Sequence, residues 1–272
     1  MTAFMKLSIF NLICLIVIGI LLFLCKKFIK ERRTHDLILK TTSILVILIH
    51  YSAVYVEFFQ NQGVAYASAS YILPVYPCHI MMWLLVIVAF TRHKKSRFFE
   101  GLAEFVFVVG TLAALIGALF NMNFLNSSNP TFTNYFLFKG VFGHMVMFFG
   151  TTYLFVFEYV KPRVEKTMIS VIVGLLFFVA DGIIINTLYA KFDIPPVNAM
   201  FLLEPPFEDY PFINFFTIGS IGLILCFIGL LIYEHITLPK AEQWITKIST
   251  KSNKQDEDLT TDKTNLVIFR KE

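Results

Sequence analysis

Residues 71–85, Tyr-Ile-Leu-Pro-Val-Tyr-Pro-Cys-His-Ile-Met-Met-Trp-Leu-Leu, are apolar enough for a membrane span, yet they carry Pro74, Pro77, Cys78 and His79 inside the hydrophobic run. Prolines free backbone groups and an imidazole needs a partner, so both are costly at membrane depth unless other parts of the protein satisfy them. A bundle must therefore surround this stretch. A second apolar segment, 134–160, repeats the arrangement, with His144 set among Gly140, Gly143 and Gly150. The remaining chain reads as the scaffold that holds these two segments together.

The composition agrees. Of the 272 residues, 57% are hydrophobic and only 15% charged, with 31 phenylalanines, and the mean hydropathy is +0.69. A soluble domain carries about a quarter charged residues, so the class is integral membrane protein. Basic clusters between the apolar runs supply the net charge of +4, which reports topology rather than a nucleic-acid surface. Nucleic acid is excluded as a partner, because no stacking motif lies on a basic face. Cys14, Cys25, Cys78 and Cys226 lie in or beside apolar segments without paired spacing, which argues against a disulfide framework or a metal knuckle. At the N-terminus the basic residues follow the apolar core and no small-x-small cleavage site is present, so an uncleaved first span is expected.

Runs long enough to cross a bilayer as helix, about 20 residues each, fall at roughly 7–25, 36–59, 71–90, 98–121, 134–160, 167–190 and 212–233. The expectation is an all-α polytopic bundle of seven transmembrane helices over residues 1–235, followed by a tail at 236–272. Lys26, Lys27, Lys30, Arg32 and Arg33 follow span one, Arg92, Lys94, Lys95 and Arg97 follow span three, and Lys161, Arg163 and Lys166 follow span five. The alternate loops hold no base, or Lys191 alone. This alternation predicts an N-terminus outside, a C-terminus in the cytoplasm and residence in the cell membrane. In the tail, 236–250 reads as a short interfacial helix with Trp244 among lysines, and the polar stretch beyond it as disordered. The outer loop 191–211, with five prolines and an apolar middle, reads either as a lid or as a plain connection.

Depth along the spans follows from the ~1.5 Å helical rise per residue. By that measure His79 lies ~12 Å below the outer surface, His144 ~15 Å, and His50 and Asp181 ~13–14 Å. Four ionisable residues on four helices thus share one band in the outer half of the membrane. One reading makes each histidine a neutral group bonded to the next helix. The other makes the band a functional pocket, which the acid Asp181 favours. Glu104 and Lys40 near the inner ends are expected to snorkel to water, while Lys139 and Glu57 near the outer ends either snorkel or pair. The three glycines of span five are expected to allow close helix approach.

Three short motifs fall on these spans in order: Pro77-Cys78-His79 in span three, Asn129-Pro130 to Phe138 followed by His144 at span five, and Asn198 with Phe201 and Pro205-Pro206 before span seven. Together they resemble the bacterial YwaF-like membrane proteins and the related TMEM164 acyltransferases, over most of residues 5–235. The family's Pro-Leu-His-x-Cys run corresponds to Pro77-Cys78-His79-Ile80-Met81, its second histidine to His144, its asparagine segment to 196–205 with Asn198, and an upstream Ile-Asn pair to Ile185-Asn186. The resemblance implies acyl transfer among membrane lipids through a cysteine and a histidine. At the cysteine position this chain has Met81, which cannot form a thioester, and the Gly and Tyr of the asparagine motif are absent too.

The leading expectation is therefore phospholipid acyl transfer, with His79, His144 and Cys78 as catalytic residues and His50, Asp181, Asn186 and Asn198 lining the substrate site. Membrane lipids are its partners, and it assigns no metal and no cofactor. Cys78 and His79, about 100° apart on a helix, would not pair, so His144 or His50 becomes the partner of Cys78. A cysteine-free version uses a histidine as general base on a lipid hydroxyl. Two alternatives stand beside it. One is a metal site built from His50, His79, His144 and Asp181, and the other is a transporter or scaffold without catalysis.

Overall fold

The computed structural model describes residues 2–60, 73–91, 96–192, 198–205, 211–212 and 214–250. In chain order the helices are α1 (Ala3–Phe28), α2 (Arg32–Gln60), α3 (Pro77–Thr91), α4 (Arg97–Leu119), the single turn α5 (Met122–Leu125), α6 (Tyr135–Val156), α7 (Val164–Lys191) and α8 (Phe215–Thr237). Short 3-10 turns occupy Ala199–Phe201 and Lys240–Glu242. The described residues include no strand. The fold is all-α, as the composition predicts.

Short polar side chains begin most of these helices by accepting the orphan N–H groups of the first turn. Thr2 caps α1 by accepting from Met5 N. Ser96 accepts from Phe99 N at the start of α4, Asn134 from Phe136 N and Leu137 N at α6, and Asn214 from Thr217 N at α8. α7 is started differently. Arg163 at its N-cap makes no side-chain bond, and the carboxylate of Glu234 on α8 accepts from Val164 N at 2.8 Å instead. The other oxygen of the same carboxylate accepts from Trp244 N at 2.8 Å, where residues 244–250 turn helical. One buried acid thus starts two helices. Glu234→Ala strands two N–H groups and is expected to cost about 2–4 kcal/mol, read as a lower thermal midpoint of the detergent-solubilised protein. An unchanged midpoint would remove this role.

Five helical segments are long and apolar enough to cross a membrane: Ala3–Phe28, Arg32–Gln60, Arg97–Leu125, Val164–Lys191 and Phe215–Thr237. Their outward faces are rows of exposed large hydrophobics, such as Ile169, Val173 and Leu176 on α7 and Ile221, Ile224 and Leu225 on α8. In water such faces would be intolerable; in lipid they are the solvent-facing surface. α6 and α3 occupy the middle. α6 packs against α4, α2 and α1, and α3 fills the space between α2 and α4. α7 lies against α4, with α8 outside it. α6 has 22 residues and carries Lys139, His144, three glycines and two threonines within its apolar run. Its glycines allow close approach, as expected: a Cβ at Gly150 would lie 2.9 Å from Leu85 Cδ2 and 3.1 Å from Thr42 Cγ2.

Among the described residues, the basic junctions after α1 and α6 meet at one end of the bundle. Arg32 donates to Phe157 O at 2.7 Å, Lys166 pairs with Glu100 at 2.6 Å, and Arg163 pairs with Glu242 at 3.3 Å. Glu104 corrects an expectation here. It does not snorkel but is 3% exposed, accepting from Thr167 Oγ1 at 3.1 Å with Lys166 Nζ at 3.5 Å. Charge at this depth is tolerated because an ammonium and a hydroxyl answer it. Lys40 lies over the Phe90 ring, 5.2 Å from its centroid. The expected disordered stretch of the tail falls outside the described residues, as do most of loop 60–70 and parts of 191–211.

Candidate functional site

The span expected at 71–90 is not helical throughout. Its helix begins at Pro77, and residues 73–76 form an irregular turn in which Val75 N donates to Leu73 O at 2.8 Å. Pro77 is the cause. A proline suits the first helical position, where no N–H is needed, and it keeps the preceding residue, Tyr76, out of the helical region. Cys78 and His79 therefore sit in the first turn of α3 rather than two turns inside a span. The positive end of the helix dipole lies beside them.

Around this turn the structure assembles an imidazole pair. The rings of His79 and His50 meet with centroids 4.5 Å apart at 61°. The shared depth read from the sequence is thus a direct contact between α3 and α2. Nδ1 of His79 is buried without a hydrogen-bond partner among the described residues. Tyr76 lies edge-on to His79 at 5.3 Å and stacks on Phe201 at 5.2 Å, which roofs the pair. His144, on α6, donates from Nδ1 to Gly140 O at 2.6 Å, an assignment that leaves Nε2 with the lone pair. Its ring rests on Gly117 of α4, where a Cβ would fall 2.4 Å from both Cδ2 and Nε2. His144 lies within electrostatic reach of His79.

Cys78 is half-buried, and its sulfur faces the backbone N–H groups of Cys78 and His79. Lys139, one turn above His144 on α6, lies within electrostatic reach of Cys78, His79 and His144. The sequence reading placed Lys139 at the outer surface or against Glu57 and missed this role. The available signal was a lysine only five residues before an intramembrane histidine. Met81 is fully buried, with its sulfur 3.6 Å from the Cβ position of Gly110, so it packs the α3–α4 contact.

Asp181 stands apart. It is half-buried, and among the described residues its Oδ2 has no hydrogen-bond partner and no interaction links it to the histidines. Its neighbour Gly182 backs onto Met200 and Leu202. No group of three or more His, Cys, Asp or Glu among the described residues is arranged to hold a metal ion.

Asn186 and Asn198 have structural tasks. Asn186 reads both backbone groups of Ala199, accepting from its N–H at 2.9 Å and donating to its carbonyl at 3.3 Å. Asn198 accepts from Leu203 N at 3.0 Å and donates to Glu204 O at 2.6 Å. Met200 N then donates to Val75 O at 2.9 Å, tying the loop to the irregular turn before α3. Met200 and Phe201 both hold a left-handed backbone with φ of 56°, a strain of about 1–3 kcal/mol each that the surrounding bonds must offset. The two asparagines thus fasten the roof that sets Phe201 on Tyr76.

The arrangement can do proton-transfer chemistry: paired imidazoles, a thiol at a helix N-terminus and an ammonium, under an aromatic roof. No curated protein and no solved structure matches this chain. The two motifs that build the roof and the imidazole pair lie on α3 and on the loop before α8, and a single family description spans both. The TMEM164 family model matches residues 3–233, from the start of α1 almost to the end of α8, and the chain belongs to that family.

Proposed function

We propose that the protein moves acyl chains between membrane phospholipids at the His50–His79–His144 site, and that it crosses the cell membrane seven times, with its N-terminus outside. The gathering of the basic junctions at one end of the bundle supports this topology. α3 and α6 then supply the two crossings beyond the five longer apolar segments. Residues 1–235 form the membrane domain and 236–272 the cytoplasmic tail.

One observation carries the chemistry: the His50–His79 ring contact beside Cys78, with a buried His79 nitrogen left open. In this reading the Cys78 sulfur attacks the carbonyl carbon of a phospholipid ester. A C–S bond forms, the ester C–O bond breaks, and an imidazole carries the thiol proton to the departing lysolipid oxygen. The hydroxyl of a second lipid reverses these steps, giving a new ester and restoring the thiol. The N-terminus of α3 and Lys139 supply positive charge for the oxyanion. Met81 takes no part, since a thioether has no proton to lose and this one is packed against α4.

The test compares the lipids of cells carrying the intact gene, a deletion, His79→Ala or His144→Ala. Deletion is expected to shift acyl-chain composition, and both alanine variants to match it. An unmoved lipid profile on deletion would sink the acyl-transfer reading.

A further inference from the structure

About 22 Å along α2 from His50, by helical rise, the basic end of the bundle carries an open pocket of about 260 Å³ bordered by Lys26, Lys30, Arg32, His35, Phe157 and Glu158. Arg32 and His35 on its border are held in place. Arg32 donates to Phe157 O at 2.7 Å, lies 3.7 Å over the Tyr159 ring and faces Asp36 at 3.7 Å. His35 joins Tyr153 Oη through Nδ1 at 2.5 Å and the Ile29 carbonyl through Nε2 at 3.2 Å. The one acid on the border, Glu158, turns to Lys161 at 3.9 Å. Neither Lys26 nor Lys30 has an acidic partner among the described residues. Two uncompensated ammonium groups and a guanidinium held in place thus face one pocket. Such a gathering of positive charge attracts an anion.

We propose that this pocket binds the phosphate-bearing headgroup of an anionic phospholipid. The site goes beyond acyl transfer and shares no residue with it. The phosphate oxygens take the Lys26 and Lys30 ammonium groups and the free edge of the Arg32 guanidinium. The last turn of α1 argues for a lipid rather than a free anion. Phe23, one turn before Lys26 on the same side of α1 by helical spacing, is 63% exposed, giving acyl chains an apolar surface below the charged group. Lys26 and Lys30 also lie where the helix emerges at headgroup level.

The test uses the purified full-length protein in a non-ionic detergent, reading the thermal midpoint during titration with dioctanoyl phosphatidylglycerol, dioctanoyl phosphatidylcholine or inorganic phosphate. The anionic lipid is expected to raise the midpoint saturably, while the zwitterionic lipid leaves it in place. Inorganic phosphate is expected to need at least about tenfold higher concentration, lacking the apolar contact. Lys26→Gln with Lys30→Gln should raise the half-saturating lipid concentration by about tenfold or more, and Lys26→Arg with Lys30→Arg should restore it. Lys27→Gln, one residue along but outside the pocket, should leave it unchanged. An unaltered response in the double glutamine variant, or equal loss in Lys27→Gln, overturns the site. Equal potency of inorganic phosphate overturns the lipid assignment, and equal potency of phosphatidylcholine the charge recognition.

Discussion

On the proposed acyl-transfer function, His79→Ala is expected to lower turnover by the purified protein about 10²–10⁴-fold, the usual contribution of a general acid–base group. The ring it removes is the one that touches His50 at 4.5 Å and carries the open buried nitrogen. The roof residue Tyr76 also loses its edge contact, so a modest loss of stability accompanies the loss of rate. His50→Ala distinguishes the two contributions: it keeps Tyr76 on His79 but breaks the imidazole pair, and a fall in kcat without a matching fall in thermal midpoint marks a chemical role. Cys78→Ala separates the two versions of the mechanism. With a sulfur nucleophile its loss equals that of His79. Activity that survives in Cys78→Ala but not in His79→Ala leaves direct transfer, with a histidine as base on the lipid hydroxyl. Full turnover in His79→Ala would falsify both versions.

The second large effect is expected at Gly117→Val. Even the Cβ of a substituent there falls 2.4 Å from Nε2 and Cδ2 of His144, far inside contact distance. The imidazole cannot slide away freely, because its Nδ1 is held to Gly140 O at 2.6 Å. It must break that bond and rotate, or α4 and α6 must separate where their packing is central to the bundle. Over-packing of this kind costs about 1–3 kcal/mol, and a displaced catalytic ring costs about 10²-fold in rate. The matched control is Gly219→Val on α8, where nothing lies within 4 Å of the Cβ position and both activity and midpoint should hold. Turnover unchanged in Gly117→Val, with the protein still folded, would show that the position of His144 does not matter.

The sequence by itself determined the class and the all-α character of the bundle. Apolar runs of bilayer length have few alternatives once backbone groups must be satisfied without water, and caps such as Ser96, Asn134 and Asn214 mark their starts by local chemistry alone. It also placed His50, His79, His144 and Asp181 at one level, because depth along a helix is a matter of counting residues. Level is not contact, however. Which faces of α2, α3 and α6 turn toward one another depends on how glycines and large side chains interlock across helices far apart in the chain, and only the tertiary structure decided that His50 meets His79 while Asp181 stands outside. The same holds for the exceptions. Glu104 looked exposed from its position near a helix end, but it is buried because Thr167 and Lys166, over sixty residues away, answer its charge. Asn186 and Asn198 looked like ligand residues, yet their amides match backbone groups of a loop whose left-handed turn no local pattern announces. Local chemistry ends each helix, and long-range packing selects the partners of each polar side chain, because a buried polar group takes its energy from whichever distant atom reaches it.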